Sequence, residues 1–432
     1  MRTTRRRFMK RAGAGMVAAG LGPLWRSAAA EGPGPAAAPA SRTGDGPYDV
    51  AVIGAGVFGA WTAYTLAQAG RKVVLLDAYG PGNARASSGG QTRVIRMGYG
   101  DQEVYTRWSM RSMQLWKLLT GRVVRPAILQ QTGVLWMARG EDPLTTKTLA
   151  TLRRLEVRHD RLERAELDRR WPQIDFGPTT WAIFEPESGF LAAFHAVQFV
   201  VQAAMLAGVV VQDESVAPPA GQGRLGSVVT ASGRTISAGT FVFACGPWLP
   251  KVFPELLGER IFPTRQEVFY FGTAPGDARY RSTSMPVWVD FAEEIYGVPD
   301  FKGRGFKVAP DRHGPAFDPD TGERVITPET LARVREFVAR RFPGLKDAPL
   351  VASEVCQYEN TSNGDFLIDR HPERENVWLV GGGSGHGFKL GPAVGEHAAA
   401  LVLGEAEPLP LFRLDRPVSA LKTQFTNGEK TR

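Results

Sequence analysis

Cysteine is nearly absent: Cys245 and Cys356 are the only two among 432 residues. Two thiols cannot make a disulfide framework, so the fold has to be held by buried apolar surface rather than by covalent staples. Beyond residue 30 the chain also lacks an excess of charge of either sign. The formal net charge is +8, but the first thirty residues hold seven Arg or Lys and no acid, which leaves 45 basic against 44 acidic side chains in the remainder. The basic balance belongs to the start of the chain, and nothing points to a nucleic-acid partner. No stretch approaches eighteen uninterrupted apolar residues, so no stable membrane span is expected. No metal is expected either.

What stands at the start is an address. Thr4-Arg5-Arg6-Arg7-Phe8-Met9-Lys10 places paired arginines before an aromatic, a weakly apolar stretch follows, and Ala28-Ala29-Ala30 supplies a small-residue cleavage site. This is the pattern of a twin-arginine signal peptide over residues 1–30. An ordinary secretory signal and an uncleaved anchor are the competing readings, the second weakened by a short, glycine-rich apolar segment. The expectation is a periplasmic or secreted protein handed to the twin-arginine export machinery, a route that suits a chain loaded with cofactor before export. Residues 31–47, rich in Gly, Pro and Ala, read as a disordered linker.

The remainder is organised around residues 49–77, DVAVIGAGVFGAWTAYTLAQAGRKVVLLD. An apolar run through Val50, Val52 and Ile53 breaks into Gly54-Ala55-Gly56-Val57-Phe58-Gly59, after which Ala60, Ala63, Leu66 and Ala67 recur at helical spacing. A second apolar run ends in Asp77, eighteen residues beyond Gly59. Strand, glycine turn, helix and terminal acid together form a dinucleotide fingerprint, stronger than the glycines alone. Gly54 allows the tight turn, Gly56 admits a pyrophosphate to the backbone N–H groups, and Gly59 lets helix and strand pack closely. Asp77 is expected to accept from ribose hydroxyls. The fingerprint does not distinguish FAD from NAD.

Residues 78–100 read as a loop without a regular element, carrying Thr92, Arg93 and Arg96. Residues 101–120 then show a helical aromatic stripe, and residues 329–342 a second amphipathic helix. Val209-Val210-Val211 and Phe241-Val242-Phe243-Ala244 read as buried strands that return to the nucleotide-binding layer, whereas residues 262–308 alternate as antiparallel strands. Between Gly381 and Gly391 six glycines fall within eleven residues, ahead of an alanine-rich helix beginning near Ala393.

From about Tyr48 to about Pro417 the chain resembles the flavin-dependent amine oxidases of the monomeric sarcosine oxidase family, within the D-amino-acid-oxidase-like fold. The resemblance is carried by GAGVFG at 54–59, SSGGQTRVIR at 87–96, TGVLW at 132–136, AIFEPESGFL at 182–191, FACGPW at 243–248, GFKV at 305–308, EVCQY at 354–358, FLIDRHP at 366–372 and GGGSGHGFKLGP at 381–392. It implies a mixed α/β fold: a Rossmann-like FAD-binding domain (48–127 with 188–252 and 362–412) interleaved with an antiparallel-sheet substrate domain (128–187 with 253–361), then a tail at 413–432. FAD is the implied cofactor, with Ser88, Thr92, Arg93, Gly383, Gly385, Gly387, Phe388 and Lys389 around it besides the fingerprint residues.

The resemblance further implies a thioether from Cys356 to the flavin 8α-methyl, against a default of a buried small hydrophobe. Lys307 is implied to face the flavin where dioxygen is reduced, Arg96 and Lys389 to hold a substrate carboxylate, and Tyr296 and Tyr358 to wall the pocket. Read without the family, Lys307 would snorkel to solvent, Arg96 would make a loop salt bridge and the tyrosines would be core. Cys245 is left as structural. Two positions depart from the family: Gly89 and Asp311 stand where histidines are common. A carboxylate at Asp311 should pair with Lys307 or Arg312, or meet a cationic or hydroxyl-rich part of the substrate. The implied activity is oxidation of a secondary amine or N-methyl amino acid with dioxygen, giving hydrogen peroxide. An exported dehydrogenase passing electrons to a quinone or carrier, and a non-catalytic flavin-binding module, are the alternatives.

Overall fold

The computed structural model describes residues 47–121, 128–417 and 421. The expected signal peptide, nearly all of the linker and most of the tail lie outside them. The described residues fall within one compact unit.

Two large sheets carry the site. In the first, the central strand Tyr48–Ile53 pairs in parallel with Val73–Asp77 on one side and Thr235–Phe243 on the other, Val52 lying opposite both Leu75 and Val242. Val210–Asp213 extends one edge, and Val377–Gly381 followed by antiparallel Leu367–Arg370 extends the other. These strands are almost continuously apolar because helices cover the sheet, as parallel pairing requires. Helix Val57–Gln68 follows the central strand and packs against Gly391–Leu403, both rich in alanine and buried along most of their length.

The second sheet runs in the order Leu350–Asn360, Phe262–Phe271, Phe306–Pro310, Ile295–Val298, Val287–Asp290, Val134–Ala138, Trp181–Glu185 and Asp160–Glu163. It is antiparallel as expected except at one place, where Val287–Asp290 lies parallel to Val134–Ala138. Those two strands are far apart in sequence, so their connection is long enough for a parallel crossover. Helix Pro328–Arg341 buries Val334, Phe337 and Val338 against this sheet's far face, beside Trp288 and Phe306.

The loop expected over residues 78–100 needs correction. Thr92–Ile95 is a strand, paired antiparallel with Gly189–Ala192 in a third, three-stranded sheet. Its flanking glycines, serines and glutamine hide it from local pattern, and its ladder partner lies about a hundred residues away. No helix among the described residues is long and apolar enough to cross a membrane.

Candidate functional site

At the carboxyl end of the central strand a cavity of about 390 Å³ opens between the two sheets. The fingerprint glycines shape it by what they omit. Gly54 has φ +104°, and a Cβ there would stand 2.3 Å from the Ala244 carbonyl oxygen. A Cβ on Gly59 would stand 1.8 Å from the Gly54 carbonyl oxygen, so only glycine lets the helix start against the strand. Gly56 meets nothing closer than Ser88 Oγ at 3.4 Å, which leaves its cavity side open for a phosphate. Ser88 Oγ accepts from Val57 N at 3.0 Å and ties the loop to the helix start.

Asp77 lines the same cavity, but its carboxylate already accepts from Ala55 N at 2.7 Å and Tyr79 N at 2.9 Å. Burial raises its pKa while those backbone bonds oppose the shift. A carboxylate has about four lone-pair sites, so it can still take ribose hydroxyls. Val57, Phe58, Arg93, Gly383, Gly385, Gly387 and Phe388 also line the cavity. Thr92 does not; its backbone carbonyl instead accepts from Lys307 Nζ and Arg93 Nη1, each at 2.9 Å.

Around the Phe388 end the expected chemical residues converge. Cys356 stands on Leu350–Asn360, and Arg93 Nη2 donates to its Sγ at 3.3 Å. The guanidinium lies 6.0 Å from the Phe388 ring centroid. Lys307, 1% exposed, does not snorkel: its Nζ lies 5.3 Å from the Tyr296 ring centroid, and its pKa is lowered to about 7 by burial and by Arg93. Glu354 pulls the other way and accepts from Tyr270 at 3.2 Å.

Asp311 follows directly on the Phe306–Pro310 strand. It pairs with neither Lys307 nor Arg312; Arg312 bonds Glu294 at 2.7 Å, and Asp311 Oδ1 accepts from the Tyr358 phenol at 3.1 Å. Pro310 ends the strand, yet the Asp311 amide still donates to the Glu294 carbonyl, so the side chain stays turned toward Tyr358. Burial raises the Asp311 pKa to about 6, against the pull of Arg96, the tyrosine and Lys389. His313 lies beyond it, 6.5 Å from Tyr358 between ring centroids.

Arg96 makes no loop salt bridge among the described residues. It is buried, donates to the Gly98 carbonyl, and stacks 4.5 Å from the Tyr99 and 4.7 Å from the Trp136 ring centroids. Lys389 Nζ lies 5.0 Å from the same Tyr99 ring and donates to the His386 carbonyl at 2.8 Å. Burial and Arg96 hold its pKa well below the ordinary lysine value. At the other departure, a Cβ on Gly89 would lie 2.3 Å from the Asn83 carbonyl oxygen, so this loop's path excludes a side chain there.

Sequence reasoning missed Tyr99, which lies under both Arg96 and Lys389, and Trp136, which lies under Arg96. It also missed Glu185, which accepts from Met97 N, Gly98 N and Trp136 Nε1 at 2.7, 3.0 and 2.8 Å and so sets the Arg96 backbone. The AIFEPESGFL motif carried Glu185 in plain view, without a local signal that it is buried.

The FAD-dependent oxidoreductase family profile matches residues 49–401. Monomeric sarcosine oxidase of Bacillus sp. (strain B-0618) is 33% identical over 394 residues, covering 88% of this chain and 98% of that protein. N-methyl-L-tryptophan oxidase of Salmonella agona (strain SL483) is 28% identical, covering 85% and 99%. Among solved structures, L-proline dehydrogenase from P. horikoshii superposes with a TM-score of 0.74 at 22% identity, covering 84% of this chain and 96% of that one. With the glycine cradle and the converging basic residues in place, the chain belongs to the FAD-dependent oxidoreductases, as an enzyme of that family related to the sarcosine oxidases.

Proposed function

We propose that the chain oxidises a secondary amine or N-methyl amino acid that carries a carboxylate, using dioxygen as acceptor. One observation carries the reading: Arg96 and Lys389 are buried over one aromatic ring, and among the described residues neither forms an ion pair. Two buried basic groups that no carboxylate bonds directly are a costly arrangement that an anionic substrate relieves. Its arrival favours the charged form of Lys389 and fixes the amine end toward the Lys307–Tyr296 side.

FAD supplies hydride acceptance from the carbon next to nitrogen and electron transfer to dioxygen, leaving an imine that water hydrolyses. The chain's part is orientation and charge placement. Lys307 sets a positive charge where oxygen is reduced and favours an oxidase over a dehydrogenase that feeds a quinone or carrier. Arg93 Nη2 holds Cys356 Sγ beside the cavity-lining residues Ser87 and Gln357, which supports covalent attachment of FAD at that sulfur.

Asp311 bears on which amine is accepted. Among the described residues its one side-chain bond is to Tyr358, so a second donor has to come from elsewhere. A larger amine with a cationic or hydroxyl group supplies it, and the spread of relatives from sarcosine to N-methyl-L-tryptophan oxidases is in keeping with a variable pocket. An anaerobic flavin-bleaching screen over sarcosine, proline, pipecolate, N-methyl aromatic amino acids and glycated amino acids tests both points. Bleaching by at least one of them is expected, with sarcosine weak and Asp311→His raising its relative rate. Sarcosine as the best substrate refutes the role given to Asp311; no bleaching by any refutes the amine reading.

A further inference from the structure

Glu359 lies on the last turn of pleat of the Leu350–Asn360 strand and lines the cofactor cavity, three residues beyond Cys356. It is 8% exposed, and its Oε2 has no hydrogen-bond partner among the described residues. No cation acts on it. Its pKa is raised to about 7 by burial, opposed only by the amides of Gly383 and Gly382. Glycine surrounds the carboxyl: Cβ atoms added at Gly383, Gly246 and Gly381 would approach its oxygens to 2.9, 3.5 and 3.5 Å. Gly246 and Gly383 line the cavity on either side of it.

A buried carboxyl with an orphan oxygen and no counter-charge is unfavourable unless something bonds it. The mechanism above does not use it. The cavity here is walled by the turn after Thr235–Phe243 and by the Gly381–Gly387 loop, next to the Gly54–Gly59 turn that takes the diphosphate. An ionised carboxylate would repel a diphosphate, whereas a carboxylic acid can donate to any cofactor oxygen.

We propose that Glu359 is a positioning residue for FAD, its carboxyl donating a hydrogen bond to an oxygen of the ribityl-diphosphate stretch. The proposal rests on the FAD-dependent family and is independent of which amine is oxidised. It makes FAD binding depend on pH. The free site binds most tightly while Glu359 holds its proton, and affinity falls as pH rises through about 7, up to tenfold per unit. The other titratable or charged groups lining the cavity are Asp77, Tyr79, Arg93, Glu214, Asp320, Tyr358 and Cys245; burial raises the Asp77 pKa, and burial with Asp77 and Glu359 keeps the Cys245 thiol protonated. Lys307, bonded to the Thr92 carbonyl next to cavity-lining Arg93 and lowered to about 7, titrates in the same range and has to be separated.

The test is the dissociation constant of FAD, read by flavin fluorescence, for apoprotein bearing Cys356→Ala, in which the flavin is exchangeable whether or not Cys356 attaches it. Between pH 6 and 9 the affinity is expected to fall. Adding Glu359→Gln, which keeps a donor, is expected to hold the pH 6 affinity within about threefold and to flatten the profile. Glu359→Ala is expected to weaken pH 6 binding by about tenfold. A flat profile with Glu359 intact overturns the proposal without need of any further variant. So does a slope that persists in Glu359→Gln, which assigns it to another group such as Asp77 or Lys307, or an affinity that falls with decreasing pH, which shows an ionised carboxylate accepting. None of these results bears on amine specificity.

Discussion

Lys307 shows how burial turns an ordinary side chain into a chemical one. With about 1% of its surface exposed and Arg93 nearby, it holds its proton only up to about pH 7. Because its pKa is lowered, the positive charge is present below that value and lost above it. If, as proposed, dioxygen oxidises reduced flavin beside Nζ, that half-reaction builds negative charge there and is expected to slow as pH rises past 7. Anionic reduced flavin favours the cation and moves the midpoint upward. Lys307→Met is expected to slow that half-reaction on the order of a hundredfold and flavin reduction far less. Stopped-flow traces with equal losses in both half-reactions would show a merely structural side chain. Cys356→Ala has an equally direct readout: acid-precipitated protein keeps its yellow colour in the wild type and loses it in the variant, and wild-type flavin that washes out on denaturation ends the covalent reading.

The glycine turn is the element on which the cofactor depends, and its logic was legible in the sequence because each glycine answers a steric demand that spacing alone encodes. Gly59→Ala puts a methyl 1.8 Å from the Gly54 carbonyl oxygen, and neither backbone can yield without moving the helix start. Overpacking of this kind costs about 1–3 kcal/mol, and here it displaces the amides proposed to meet the diphosphate. Gly59→Ala is thus expected to lower the melting temperature by several degrees and to leave most of the protein without flavin. A variant that purifies with full flavin content would show that the close approach is dispensable. The strand Thr92–Ile95 was not legible, because its pairing with Gly189–Ala192 is tertiary and its own residues are those of a loop. For the same reason motif matching placed Arg96, Lys389 and Asp311 in one site but not the aromatic floor of Tyr99 and Trp136. Floor residues come from segments whose local pattern is simply buried strand or turn. Asp311's partner was misjudged because a nearest-charge expectation ignored Tyr358, which arrives from another strand.

At the scale of the molecule, the cofactor cavity is assembled from segments near residues 53–93, 214–216, 244–252 and 357–388 together with Asp320, so it forms only as these distant stretches come together. Both cysteines are free, so nothing in the fold awaits an oxidising compartment. We propose that FAD is taken up as this cavity forms; a folded, loaded chain cannot thread a channel built for extended polypeptide. On that proposal the arginine pair at the start is a twin-arginine address that would deliver finished holoenzyme to the periplasm or the exterior. Arg5→Lys combined with Arg6→Lys changes no charge, so folding and flavin loading are expected to continue. The double variant is expected to accumulate as yellow, active protein in the cytoplasm while the exported fraction falls at least tenfold, measured by cell fractionation and flavin absorbance. Export at the wild-type level would remove the twin-arginine reading, and colourless protein in the cytoplasm would show instead that loading happens after export.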